Sequence, residues 1–267
     1  METHILETSD LTRRFKTLTA VDHLNLAIQP GEVFGLLGPN GAGKTTAIKM
    51  LTTLLPPTSG NARIAGFDII AHAAQVRREI GYVPQLLSAD GTLSGYENLL
   101  IFAKLYDIPR KEQSVRARDI LAFMGLTESA DKMVRTYSGG MIRRLEIGQS
   151  MLHHPQVLFL DEPTLGLDPI ARSVVWEHLK QLCKDFGTTV FLTTHMMEEA
   201  DSICQRVAIM HLGKVTAIGS PKELKASIGK ENATLDDVFI FYSGKILDSG
   251  GSYRETTRTR RVARRLG

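Results

Sequence analysis

Cysteine is nearly absent. The 267 residues hold two, Cys183 and Cys204, without Cys-x-x-Cys spacing, which argues against a disulfide-stapled scaffold and fits a reducing compartment. Long apolar runs are missing too: no stretch approaches the roughly 18 residues needed to cross a bilayer. Met1–Glu7 offers no basic segment followed by an apolar one, so no secretory leader is expected. The body carries no basic stripe that would track a nucleic acid, and no internal repeat is visible. These absences predict a cytoplasmic protein with no nucleic-acid partner.

What remains is ordinary for a globular chain, 43% hydrophobic and 23% charged in 29.5 kDa, enough for one large domain or one and a half. The net charge of +3 is unevenly placed. From Lys245 onward one lysine and six arginines face only Asp248 and Glu255, a charge of +5 that leaves −2 for the rest. Such an end reads as a solvated, mobile appendage.

Leu24, Leu26 and Ile28 alternate with polar residues as in a half-buried strand. Val33–Leu37 then forms a short apolar run before a glycine-rich loop, and a helix is expected from about Lys44 to Leu55, ended by Pro56–Gly60. Val157–Leu160, Thr189–Thr193 and Val207–Met210 read as buried strands, and Lys214–Ile218 pairs with the last of these across a Gly213 turn. Between Gln85 and Tyr137 strand signals vanish, while Leu99, Phe102, Ala103 and Tyr106 recur at helical spacing. Val175, Leu179, Leu182 and Phe186 form a second helical stripe, expected to face the core. One short helical stretch follows Pro221. Strands alternating with helices predict an α/β fold with a mainly parallel sheet.

The chemistry concentrates in a few places. In Gly38-Pro39-Asn40-Gly41-Ala42-Gly43-Lys44-Thr45, with Thr46 behind it, glycines let backbone N–H groups curl around phosphate oxygens. Lys44 adds a cation for the β- and γ-phosphates, and Thr45 offers a hydroxyl to Mg²⁺. Asp161 ends the apolar run from Val157, where a carboxylate can hold Mg²⁺. Glu162 follows and, were extended geometry to continue, would point the other way, toward an attacking water. His195 closes the Thr189–Thr194 run, so that chain ends at 37, 160 and 194 would lie side by side where such sheets bind ligands. Gln85 sits where the core gives way to the helical insertion and can touch Mg²⁺ or water. Phe15 either stacks on a purine or belongs to the core. Ser138-Gly139-Gly140 is a second phosphate-cradling element, surplus to one nucleotide.

In this order the motifs resemble those of the nucleotide-binding subunits of ABC transporters over residues 3 to 240. Gly38–Thr45 matches Walker A, Gln85 the Q-loop, Tyr137–Met141 the signature, Val157–Glu162 Walker B, Leu165–Asp168 the D-loop and His195 the switch histidine. Phe15 falls at the adenine-stacking aromatic. Leu93–Leu99, Glu162–Pro169 and Thr234–Phe239 are similar to the daunorubicin-resistance type of exporter ATPase, which works with separate membrane subunits.

The resemblance implies a P-loop cassette with an N-terminal antiparallel β subdomain and a helical subdomain near 86–137. From the residues themselves, the ATPase domain is expected at 1–220, a helical extension at 221–242 and a flexible basic tail at 243–267. The resemblance further implies two cassettes, identical or paired, sandwiching two ATP with Mg²⁺. Each Walker A would face Ser138, Gly139 and Gly140 of the other copy, and Asp168 would couple the sites. Glu162 would polarise water and His195 would stabilise the γ-phosphate. A separate transmembrane permease would dock near Gln85, holding the chain on the inner face of the membrane. The alternative is a non-transport or regulatory ATP-binding module. Tyr137 and Met141 depart from the usual Leu-Ser-Gly-Gly-Gln signature, and Gly148 costs its helix about 1 kcal/mol relative to alanine.

Overall fold

The computed structural model describes residues 4–248. Of the basic segment, the part from 249 onward lies outside the described residues.

The chain opens with an antiparallel hairpin, β1 (Leu6–Phe15) and β2 (Leu18–Ile28). β3 (Val33–Leu37) is buried at every position and leads through the glycine-rich loop into α1 (Lys44–Leu51). This helix stops short of Leu55. Thr52 turns its hydroxyl back onto Ile48 O at 2.9 Å, and Thr53 takes the left-handed conformation at φ 62°, which no helix continues through.

β4 (Ser59–Ile64) pairs with β1, and the short β5 (Phe67–Asp68) pairs with β4, completing a four-stranded antiparallel sheet in the order β2-β1-β4-β5. Then come α2 (Ala73–Glu79) and β6 (Ile80–Val83). The segment after Gln85 holds α3 (Gly95–Leu105) and α4 (Arg110–Phe123). Ser94 and Glu97 form a reciprocal capping box at the start of α3, which satisfies two otherwise orphaned backbone donors.

α5 (Gly139–Met151) returns to the core, followed by β7 (Val157–Asp161), α6 (Pro169–Phe186), β8 (Thr189–Thr194), α7 (Met197–Ile203), β9 (Arg206–His211) and β10 (Lys214–Gly219). These strands build a six-stranded sheet in the order β10-β9-β3-β8-β7-β6. Its pairings are parallel apart from the β9–β10 hairpin. Two helices then close the described chain, α8 (Pro221–Ser227) and α9 (Leu235–Asp248), where sequence reading expected one. α9 also runs past the expected boundary at 242.

One core joins the antiparallel sheet to one face of the large sheet around α1. There Phe191 lies between Phe34 and Phe159, with ring centroids 5.8 and 5.4 Å away. The second core packs the other face against α5, α6 and the helical insertion. In α6, Val175, Leu179 and Leu182 are buried as the stripe implies, but Phe186 is 47% exposed. It meets Phe123 edge-on at 5.3 Å, while Trp176 takes the inner place.

Gly148 has a packing reason. A Cβ there would stand 2.6 Å from Ile120 Cγ2 and 3.4 Å from Met124 Cγ, so glycine lets α5 approach α4 closely. Gly148→Val should therefore destabilise the fold by about 1–3 kcal/mol despite valine's better helix propensity. The check is a lowered urea midpoint with an unchanged slope.

Candidate functional site

The glycines of the phosphate loop are required by its surroundings. A Cβ on Gly38 would lie 2.2 Å from Met210 O. Gly43 has φ 111°, and a Cβ there would lie 2.3 Å from Ala20 O. The loop is pinned at both ends, by Gly38 N–H to Thr194 O (3.1 Å) and by Gly213 N–H to Ala42 O (2.9 Å). Gly43 is also the N-cap of α1 and has no side chain to cap it. The first-turn amides at Lys44, Thr45 and Thr46 therefore present the positive end of the helix to the loop.

Lys44 folds back over this loop. Its Nζ lies 2.7 Å from Gly38 O, 3.2 Å from Pro39 O and 3.2 Å from Glu162 Oε1. Burial pushes its pKa down, opposed by the charges of Glu162 and Asp161. These partners hold the Lys44 side chain over the loop.

The parallel register sets the acidic side of the site. Asp161 stands opposite Thr193 at the ends of β7 and β8. Its Oδ1 accepts from Thr193 Oγ1 (2.6 Å) and Thr45 Oγ1 (3.2 Å), so a hydroxyl and a carboxylate converge at the mouth of the loop. Glu162 does not continue the strand. At φ 51° it is left-handed, and its N–H is held by Thr193 through both the carbonyl and the hydroxyl, each at 3.1 Å. The turn aims the carboxylate at two cations or donors at once, with Oε1 on Lys44 and Oε2 3.0 Å from His195 Nδ1.

Sequence reasoning missed Thr193, a buried hydroxyl that fixes both acidic residues. The signal available was its place beside Thr194 and His195 at the end of a buried strand.

The other expected residues lie elsewhere. Ser138 is the N-cap of α5, accepting from Met141 N–H at 3.3 Å. A Cβ on Gly140 would come within 2.8 Å of Ala171 Cβ, and one on Gly139 would lie 3.4 Å from Leu167 Cδ2. The 138–140 element thus packs beside the 167–171 segment. Among the described residues no hydrogen bond or ion pair joins it to the 38–46 loop. Asp168 caps α6 through Ala171 N–H at 2.9 Å.

Gln85 is exposed, and its carbonyl accepts from Arg143 at 2.7 Å. Arg143 also holds Pro84 O at 2.7 Å and pairs with Glu146, which accepts from the Ser88 and Ala89 amides. One buried ion pair therefore ties α5 to the loop carrying Gln85. Phe15 ends β1. It is 41% exposed beneath the Arg13 guanidinium, 4.7 Å from the ring centroid, so its ring is not part of the core.

A protein-family model described as ABC transporter matches residues 21–165. The chain belongs to the ABC transporter family. It is 44% identical over 227 residues to the daunorubicin/doxorubicin resistance ATP-binding protein DrrA of Streptomyces peucetius, covering 85% of this chain and 68% of that protein. It is 42% identical over 222 residues to a Nod factor export ATP-binding protein I of Cupriavidus metallidurans, covering 83% and 73%.

Among solved structures it is similar to an ATP-binding subunit of an ABC transporter, with TM-score 0.78, 28% identity and coverage of 89% and 99%. It is also similar to the cassette MJ0796 in a dimeric post-hydrolysis state bound to ADP and Pi, with TM-score 0.71, 26% identity and coverage of 80% and 98%. The antiparallel sheet beside a parallel core is the ABC cassette fold. The chain is thus an ATP-binding, ATP-hydrolysing protein of the ABC transporter family, similar to the ATP-binding proteins of daunorubicin resistance. No described helix is long and apolar enough to cross a membrane.

Tyr137, the departure at the front of the ABC signature, has a structural task. Its hydroxyl donates to Ser129 O at 2.6 Å, and Gly95 leaves room for it, since a Cβ there would stand 2.3 Å from that oxygen. Burial raises its pKa. Tyr137→Phe should lower stability by about 1 kcal/mol and leave ATP affinity unchanged, read by denaturant titration alongside equilibrium nucleotide binding.

Proposed function

We propose that this chain is the cytoplasmic ATPase subunit of an ABC exporter, closing on ATP as a pair of cassettes and working through a separate membrane permease. The observation that carries this reading is the line Lys44–Glu162–His195 at the mouth of a glycine loop, built from the ends of three adjacent strands. The relatives' roles in drug resistance and Nod factor export support the exporter assignment. The dimeric ADP-bound cassette supports pairing.

In this reading the 38–46 backbone amides and Lys44 hold the β- and γ-phosphates of ATP, and Phe15 stacks on the adenine in place of its contact with Arg13. The oxygen donors at the loop's mouth, Thr45 hydroxyl and Asp161 carboxylate, fit a hard cation such as Mg²⁺, and Gln85 adds a third oxygen from the insertion. Bound there, Mg²⁺ supplies charge neutralisation across the phosphates.

Glu162 Oε2 orients the attacking water and takes its proton. His195, freed from Glu162 by that water, donates to the γ-phosphate and offsets its developing charge. The second cassette contributes Ser138, the amides of Gly139 and Gly140, and the N-terminus of its α5 to the same phosphate. Asp168 lies beside that element within each chain and couples the two sites. The exposed Gln85 loop and the helical insertion receive the permease, which holds the chain peripherally on the inner face of the membrane.

Glu162→Gln keeps the side-chain shape but removes the base. It should lower turnover by about 10²–10⁴-fold while ATP still drives dimer formation on size exclusion. Undiminished turnover in that variant sinks the role given to Glu162. Thr45→Val should raise the Mg²⁺ concentration for half-maximal hydrolysis, and chelation should stop hydrolysis in the unmodified chain. An unaltered Mg²⁺ requirement would move the metal elsewhere.

A further inference from the structure

One buried carboxylate takes no part in the steps above. Glu199, in the first turn of α7, is 1% exposed. Its Oε1 accepts two hydrogen bonds, from Thr164 Oγ1 at 2.7 Å and from Trp176 Nε1 at 2.9 Å. Burying a carboxylate against two neutral donors is costly compared with an apolar side chain of the same volume, so packing alone does not call for a glutamate here.

The three residues belong to three elements that meet at the site. α7 follows His195 directly. Thr164 lies between Glu162 and Asp168 and is the hinge of two tight turns, Leu165 N–H to Glu162 O and Leu167 N–H to Thr164 O, each 3.2 Å. Trp176 is on α6, which Asp168 caps.

We propose that Glu199 is a positioning residue of the hydrolytic site. Its single oxygen locks the His195 segment, the Glu162–Asp168 loop and α6 into one unit, so that displacement of His195 moves Asp168 and the signature element packed beside it. Through Thr164 it keeps the Glu162 turn and His195 in register; through Trp176 it carries that register to the face that meets a second cassette. The inference rests on the roles proposed for Glu162 and His195.

Trp176 is the chain's only tryptophan, so its emission reports this junction directly. In the purified full chain, Glu199→Leu removes the acceptor at similar volume and should lower kcat by on the order of tenfold or more. KM for MgATP should stay within about twofold, because the phosphate loop is untouched. Thr164→Val should do the same, and combining both should lose no more than the worse single variant. Glu199→Gln retains Oε1 as an acceptor and should restore most of kcat.

A second readout needs no turnover. In a Glu162→Gln background, ATP should shift Trp176 emission, and adding Glu199→Leu should abolish that shift without changing ATP affinity. Should Glu199→Leu fail to fold, Thr164→Val carries both readouts. Wild-type kcat in Glu199→Leu and Thr164→Val overturns the inference. So does Glu199→Gln as slow as the leucine variant, or KM rising in step with the fall in kcat. ATP binding with an emission response indifferent to Glu199→Leu overturns this inference alone, whereas a chain that binds no ATP overturns the nucleotide reading and this one with it.

Discussion

The Glu162 carboxylate sits between Lys44 and His195, one oxygen at 3.2 Å and the other at 3.0 Å, and everything around it is arranged to keep it there. Neighbouring strands lie about 4.8 Å apart. Only because β3, β8 and β7 are consecutive in the sheet do the loop after the first, the histidine after the second and the acidic pair after the third fall within reach of one phosphate. A buried glutamate facing a buried lysine is stable only while both remain paired. In the proposed function a phosphate and its cation take over these partnerships.

The Ser138–Gly140 element obeys a different constraint. Ser138 must cap α5 to begin that helix, and Gly140 must be glycine for α5 to cross α6 at Ala171. The element is therefore fixed on the surface beside Asp168, and the Arg143–Glu146 pair joins its helix to the Gln85 loop. One helix, α5, thus carries both the Ser138–Gly140 element and the Arg143 contact to the Gln85 loop. Tyr137, which departs from the usual signature, anchors the insertion through Ser129 and leaves the Ser138 cap intact.

The strand–loop–helix around Gly38–Thr45 and the strands ending at Asp161 and Thr194 were legible in the sequence because each is a short apolar run ended by a chemical residue. β1, β4 and β5 were not: Leu6–Phe15 and Ser59–Ile64 are rich in polar residues, and β4 is held by β1 across more than 40 intervening positions, while β1 is also held by β2. The backbone turn at Glu162 was likewise invisible, since an acidic residue with φ 51° is held there by Thr193 from another strand. Long-range pairing also decided Trp176 over Phe186 as the inner residue of α6. Its indole finds an acceptor on α7, and no helical periodicity encodes that. The motifs and the resemblance nominated candidate residues; the folded chain supplied their partners.

The central claim is that one nucleotide is held by Gly38–Thr45 of one chain and Ser138–Gly140 of another. Mixing two defective forms in a Glu162→Gln background tests it most directly. Lys44→Ala removes the cation from the first element, and Ser138→Arg blocks the second. Each alone should form no ATP-dependent dimer. Mixed, they can assemble one pair in which both lesions share a single site and the other site is whole. The account predicts a heterodimer on size exclusion retaining one ATP per pair. A mixture that stays monomeric with ATP, or a Lys44→Ala chain that dimerises with ATP unaided, would contradict it.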